Sequence, residues 1–345
     1  FVLRASYEEV KILLARTPID KLLASDKTDQ ETKNKLTFVT NVRKFAQEMG
    51  LDPKESFTLY TEVKKDPLAW VFMAAKPDSF SLKTWWFPFV GSVPYKGFFE
   101  EKDALAAAKS SSAEGWETWV RGTDAFSTLG WFNDPLLSTT LKRDQFTIAN
   151  TVIHEIFHST FWVKDQVEFN ESAANFIGVF GMLDFYKARK DTCLLTKQKC
   201  QDEDAAYKSA KLIVTREEEL ASFVNRLYSE LESLYSGKLS KPEIMKERIN
   251  IFNKLSSNFK AKYPGFDAFK TINNAELMQY KIYLSNFGLF KGCLNICKNN
   301  WECFIDKLKN SQTITEKMTE NQKKLSPFDG LALSCNIPLR KHPLN

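Results

Sequence analysis

His154-Glu155-Ile156-Phe157-His158 sets two of the chain's three histidines four residues apart, with a glutamate directly after the first. In an α-helix, side chains at i and i+4 project from one face, one above the other. Two neutral imidazoles can then reach one Zn²⁺, and the glutamate is placed to take a proton from metal-bound water. The bland reading is a helix that happens to carry two histidines. The flanking residues argue against it. Ile148, Val152, Ile156 and Phe157 recur at helical spacing after Asp144, a residue type that caps helix N-termini. The motif therefore lies on a half-buried amphipathic helix, where His and Glu need partners that a metal supplies.

A hydrolytic zinc site takes three protein ligands and leaves a fourth position to water. The remaining histidine, His342, stands near the C-terminus in Lys341-His342-Pro343 and reads as a solvated tail residue. A metzincin needs glycine and histidine where this chain has Phe161 and Lys164, so that class is excluded. The third ligand is then expected to be a carboxylate: Asp165, Glu168 or Glu171. Glu171 fits best. It opens a predicted helix with Asn170 as N-cap, and it shares a face with Ala174, Asn175 and Gly178, small enough to admit a second helix. Phe176, Val179, Phe180 and Leu183 cover much of the rest, so a carboxylate there is costly unless a cation binds it. Asp165 and Glu168 are expected in the preceding turn, solvated or accepting an imidazole N–H.

The elements around this pair can be read coarsely. A first helix carries Val10, Leu13 and Leu14; a second carries Leu36, Val39, Val42, Phe45 and Ala46 and stops at Gly50. Short strands are predicted at Phe57–Thr61, Ala69–Ala75, Thr84–Val90, Trp116–Val120 and Ala125–Gly130, interrupted by a helix from Lys102 to Ser110. Trp85, Trp86, Phe87, Phe89, Phe98 and Phe99 give the sheet its aromatic mass. Asp134-Pro135 is read as the start of a short helix, with proline at the first helical position. Beyond Cys200 the pattern is almost wholly helical, with charged stretches at 203–236 and 241–262 parted by Gly237 and the turn before Pro242. The three prolines after Ser326 read as an irregular tail. The fold class is thus α+β, predominantly α-helical. Two domains are expected, a core over 1–190 and a helical region over 191–345.

At 345 residues and 43% hydrophobic content the chain can bury a full core. No apolar run is long enough to span a membrane. The net charge of +5 is modest, and lysines alternate with acids, as in Arg216-Glu217-Glu218-Glu219, which gives no case for nucleic acid. Six cysteines contain no CxxC pair, which weakens a structural zinc site. Cys193 and Cys200 bracket a short polar loop and are the first candidate disulfide; reduced buried thiols are the alternative. The chain starts at Phe1 without methionine, and the expectation is that an N-terminal segment has been removed.

Several blocks carry a resemblance: Arg16-Thr-Pro-Ile-Asp, Val42-Arg-Lys-Phe-Ala, Phe87-Pro-Phe-Val-Gly, Pro94-Tyr-Lys-Gly and Phe126-Ser-Thr-Leu-Gly-Trp-Phe-Asn-Asp-Pro-Leu-Leu. They continue through the HExxH, Phe169-Asn-Glu-Ser-Ala-Ala and Asn273-Asn-Ala-Glu-Leu. In this order they resemble the bacterial family of putative aminopeptidases, zincin-type, gluzincin-like metallopeptidases. The resemblance implies His154, His158 and Glu171 as ligands of one Zn²⁺ per chain, Glu155 as catalytic base, and a small mixed sheet beside the HExxH helix. It also implies a lost lipoprotein signal or N-terminal anchor, hence the bacterial cell envelope, periplasmic or membrane-attached. Two departures stand out. The glycine-x-methionine-glutamate-asparagine motif that anchors a free amine in one large aminopeptidase group is absent, and the gap before the third ligand is shorter than in thermolysin-like enzymes.

The expected activity is therefore zinc-dependent hydrolysis of a peptide or protein substrate, as an aminopeptidase, with an endopeptidase open. A sheet edge beside the metal would take an extended peptide by main-chain hydrogen bonds, which makes Ser127 and Thr128 candidate substrate residues. Trp131-Phe132-Asn133 could wall a side-chain pocket or be core. With no spare histidine, a tyrosine is the expected oxyanion donor: Tyr280 first, then Tyr283, Tyr95 and Tyr186. The rival reading is a non-catalytic envelope protein with a structural zinc and a partner on its helical half. Glu155 disfavours that, because a structural site has no need of it.

Overall fold

The computed structural model describes residues 14–87, 91–123, 135–196, 200–320 and 325–339. The chain is α+β and predominantly helical, the class its sequence implies. Among the described residues the elements run β1 (Thr17–Pro18), α1 (Ile19–Ala24), α2 (Gln30–Glu48), β2 (Leu59–Thr61), β3 (Ala69–Ala75), β4 (Trp85–Phe87), β5 (Gly91–Val93), β6 (Lys96–Phe98), α3 (Glu101–Ala113), β7 (Glu117–Thr123) and β8 (Leu136–Leu137). Helices follow: α4 (Ser138–Leu141), α5 (Gln145–Thr160), α6 (Val167–Leu195), α7 (Gln201–Tyr235), α8 (Lys241–Lys262), α9 (Asn274–Leu284), α10 (Phe287–Ile296), α11 (Trp301–Glu320) and α12 (Pro327–Ser334). The chain divides into two compact units, each drawn from three stretches: 1–37, 55–144 and 216–284 form the first, and 38–54, 145–215 and 285–345 the second.

The first unit holds the sheets. β3 is central in an antiparallel set ordered β6-β3-β7, with Phe72 opposite Val120 on one side and Lys96 on the other. Phe72, Ala74, Phe98, Ala104 and Ala108 form its core, edged by Trp70, Trp85, Trp116 and Val120, so α3 lays its small residues against an aromatic sheet face. A second, mixed sheet pairs β2 antiparallel to β1 and parallel to β8; β4 and β5 form a two-stranded ribbon. The predicted strand at 57–61 begins only at Leu59, because Phe57 has a positive φ of 62° that a β-strand does not accept. β5 and β6 were hidden by the glycines and proline of 91–97. Pro135 does not start a helix: β8 intervenes, and the short helix begins at Ser138.

The second unit is helical. Its centre is an aromatic cluster in which Phe176 meets Phe180, Phe287, Phe290 and Phe304 at ring separations of 4.5–5.7 Å. Disulfides join Cys193 to Cys200, as expected, and also Cys293 to Cys335 and Cys297 to Cys303. The tail after Ser326 is not irregular as far as Ser334: it is α12, with Pro327 in its first turn and Ser326 and Asp329 closing a capping box. No helix among the described residues is long and apolar enough to cross a membrane.

Candidate metal centre

α5 begins at Gln145, immediately after Asp144, and buries Ile148, Ala149, Val152, Ile153, Ile156 and Phe157 along one side. That stripe fixes the helix rotation, so His154 and His158 share the adjoining face. The C-terminal end of α5 is clamped: Ser159 Oγ donates to the Asp52 carbonyl at 2.8 Å, and Asp52 N–H donates to Thr160 Oγ1 at 2.9 Å.

α6 starts at Val167, three residues before the expected cap, so Asn170 is not its N-cap; Gln166 is. Asn170 is fully buried and fastens the inter-helix turn instead. Its Oδ1 accepts from Val163 N–H at 2.9 Å and its Nδ2 donates to the Val163 carbonyl at 2.7 Å. Asp165 is exposed in that turn, as expected, with φ at 59°. Glu168 lies in the first turn of α6 rather than in the connection, and accepts from Ser285 Oγ at 2.5 Å. Glu171, one turn further on, is buried.

The two helices meet through small residues. A Cβ on Gly178 would come 2.2 Å from Asn150 Oδ1, 2.9 Å from the Asn150 carbonyl oxygen and 3.2 Å from His154 Cβ. Gly178 therefore sets how closely α6 approaches the histidine helix. Ala174 is fully buried one turn earlier, so the expected small face is the contact face.

His154 Nε2 and His158 Nε2 lie 3.2 Å apart, and Glu171 Oε2 lies 3.4 Å from the first and 3.6 Å from the second. A tetrahedral ion bound at about 2.0–2.1 Å sets its ligand atoms about 3.3–3.4 Å from one another. The triangle matches that edge on all three sides. Burial alone would push the Glu171 carboxyl up, but positive charge at His158 and hydrogen bonding from both imidazoles hold it well below the usual carboxylate range. A cation among the three supplies the same positive charge while leaving the imidazoles neutral. His154, His158 and Glu171 could thus hold a metal ion. Glu155 adds a further sign of fit: its Oε2 is buried and has no hydrogen-bond partner among the described residues, an acceptor poised for a proton donor. The Trp162 ring packs edge-on to His158 at 5.4 Å and limits its rotation.

A family model described as "Putative aminopeptidase" matches residues 1–325. The chain belongs to this family. No match was found among curated proteins or among solved structures.

The other sequence candidates fall elsewhere. Ser127, Thr128 and the whole segment 125–130 lie outside the described residues, as do Trp131, Phe132 and His342. Tyr280 belongs to the first unit, where its ring packs on Phe269 at 4.8 Å and on Phe266 and Trp119 at 6.4 Å; burial pushes its hydroxyl up to about 12. Tyr186 stands fifteen residues past Glu171 on α6, roughly 22 Å along the helix axis, packed between Phe146 and Phe185. Asn150, one turn before His154, and the Asp52 clamp escaped the sequence reading. Asn150 could have been found by extending the histidine spacing one step towards the N-terminus; the clamp leaves no local signal.

Proposed function

We propose that the chain is a zinc-dependent peptidase whose ion is held by His154, His158 and Glu171 and whose base is Glu155. The observation that carries this reading is the ligand triangle of 3.2, 3.4 and 3.6 Å, which matches a tetrahedral zinc site. Bound there, Zn²⁺ supplies Lewis-acid polarisation of the scissile carbonyl and acidifies water. Glu155 takes a proton from the attacking water and returns it to the leaving amine. The unpartnered Oε2 supports that assignment, because a carboxylate serving only structure would have its hydrogen bonds filled. His154 and His158 stay neutral in this role, since a protonated imidazole has no lone pair to offer.

The family name favours aminopeptidase action. A zincin-like arrangement is proposed on the same footing, from the HExxH helix and a carboxylate on the next helix. Peptides or proteins are the proposed substrates, with Ser127 and Thr128 kept as candidate substrate residues. The three disulfides support an oxidising compartment such as the bacterial envelope. The test is digestion of a defined peptide mixture by the zinc-loaded protein, followed by mass spectrometry. Successive loss of N-terminal residues, abolished by chelation and restored by Zn²⁺, is the expected result. Internal cleavage would make the protein an endopeptidase, and no cleavage would overturn the peptidase reading.

A further inference from the structure

The turn of α6 that carries Glu171 is spanned by a serine from a distant part of the chain. Ser285 comes directly before Asn286, the N-cap residue of α10, and is fully buried. Its N–H donates to Ser172 Oγ at 3.0 Å, and its hydroxyl donates to Glu168 Oε1 at 2.5 Å. On a helix, residues three and four apart are neighbours on one face, so Glu168, Glu171 and Ser172 lie side by side. Ser285 therefore bridges the two ends of the single turn that presents the Glu171 carboxylate. A fully buried serine needs partners for its N–H and its hydroxyl. Both are found on this turn.

The segment that delivers Ser285 is itself fixed. Asn286 takes a left-handed conformation with φ of 54° and turns the chain into α10. On that helix Phe287 and Phe290 pack on Phe176 of α6 at 5.5 and 5.6 Å, and Phe290 meets Phe169 at 5.9 Å. The Cys293–Cys335 disulfide ties α10 to the end of α12, whose Phe328 covers Phe169 at 5.0 Å. Phe169 and Phe176 stand before and after Glu171 in sequence, so ring contacts brace α6 on both sides of the ligand. Ser285 adds the polar contact between them. Among the described residues, Glu168 is not one of the three groups that converge on the candidate ion position. Its carboxylate is engaged by the serine instead.

We propose that Ser285 is a positioning residue for the metal centre, holding the Glu171 turn in its ligating place by bridging Glu168 and Ser172. This rests on the reading of His154, His158 and Glu171 as metal ligands, and adds the residue that holds the carboxylate corner of their triangle. A ligand already fixed in place loses little freedom when the ion binds. Groups that orient metal ligands are worth about 10–100-fold in metal affinity. Glu168 serves here as a hydrogen-bond acceptor rather than through its charge.

Zn²⁺ competition titration of the full chain, together with the visible d–d absorption of its Co²⁺-loaded form, tests this. Ser285→Ala should weaken Zn²⁺ by about tenfold or more and alter the Co²⁺ bands, because the carboxylate is no longer held. Ser172→Ala removes the acceptor of the Ser285 N–H; it should act in the same direction and serves if Ser285→Ala fails to fold. Glu168→Gln keeps an acceptor oxygen and should bind Zn²⁺ like the wild type, whereas Glu168→Ala should match Ser285→Ala. Wild-type affinity and bands in Ser285→Ala, or in Ser172→Ala where the first does not fold, would overturn the proposal. So would Glu168→Gln binding as weakly as Glu168→Ala. A wild-type chain that takes up neither ion would overturn the metal reading itself, and the proposal with it.

Discussion

Arg248 in the first unit is 1% exposed and faces Glu117 through two parallel hydrogen bonds of 2.8 and 2.9 Å. Asn274 completes the cluster: its Oδ1 accepts from Arg248 at 3.1 Å and from Tyr235 at 3.1 Å, its N–H donates to Glu117 at 2.6 Å, and its Nδ2 donates to the Lys76 carbonyl at 2.9 Å. In the second unit His154, His158 and Glu171 are also sequestered, yet they bring three lone-pair atoms to one point. The first cluster sets both terminal nitrogens of Arg248 against acceptors, leaving its Nε without a partner among the described residues, and ties α8 and α9 to strand β7. The second gathers two imidazole nitrogens and a carboxylate oxygen close enough together to share one cation. Buried charge facing an oppositely charged partner serves architecture, whereas three ligand-type atoms converging on one point suit a cation.

Substitutions should separate these two kinds of site. Glu155→Gln should keep one metal per chain and lower kcat for peptide hydrolysis by about 10²–10⁴-fold, the span of general acid–base catalysis; wild-type turnover would remove Glu155 as base. Glu171→Ala should weaken Zn²⁺ by more than the roughly 10–100-fold expected of an outer neighbour, and Glu168→Ala by less. Metal-competition titration decides, and the reverse order would reassign the ligand. Glu117→Gln should do the opposite of Glu155→Gln, destabilising the fold by about 3 kcal/mol in urea unfolding because Arg248 loses its charged partner, with metal stoichiometry unchanged. Gly178→Ala should lower stability by roughly 1–3 kcal/mol through overpacking and weaken the metal as well, since its new methyl would strike the helix that carries both histidines. The smallest effect is expected from Ser326→Ala, about 1 kcal/mol for a lost cap, with no change at either cluster.

How much of this was legible in the sequence depends on how local each signal is. The histidine spacing and the apolar stripe of α5 repeat within two turns, so the helix and the shared face of both imidazoles could be read directly. Glu171 was legible because a carboxylate among phenylalanines and small residues needs a counter-charge. Asn170 was misread because asparagine that caps a helix and asparagine that pins a loop look alike in one dimension. Proline density masked α12, although Ser326 and Asp329 are spaced as a capping box. The Cys293–Cys335 and Cys297–Cys303 pairings follow from how α10, α11 and α12 pack, which no spacing rule contains. The Arg248–Glu117 pair joins residues 131 apart in sequence and left no trace beyond two ordinary charges.

Zinc titration of the metal-stripped chain, beside the triple variant His154→Ala, His158→Ala, Glu171→Ala, decides whether these three side chains hold an ion. One tight Zn²⁺ per wild-type chain and none in the variant is expected, with both retaining the same helical circular dichroism. Equal zinc uptake by the two proteins, or no tight uptake by the wild type, would contradict it.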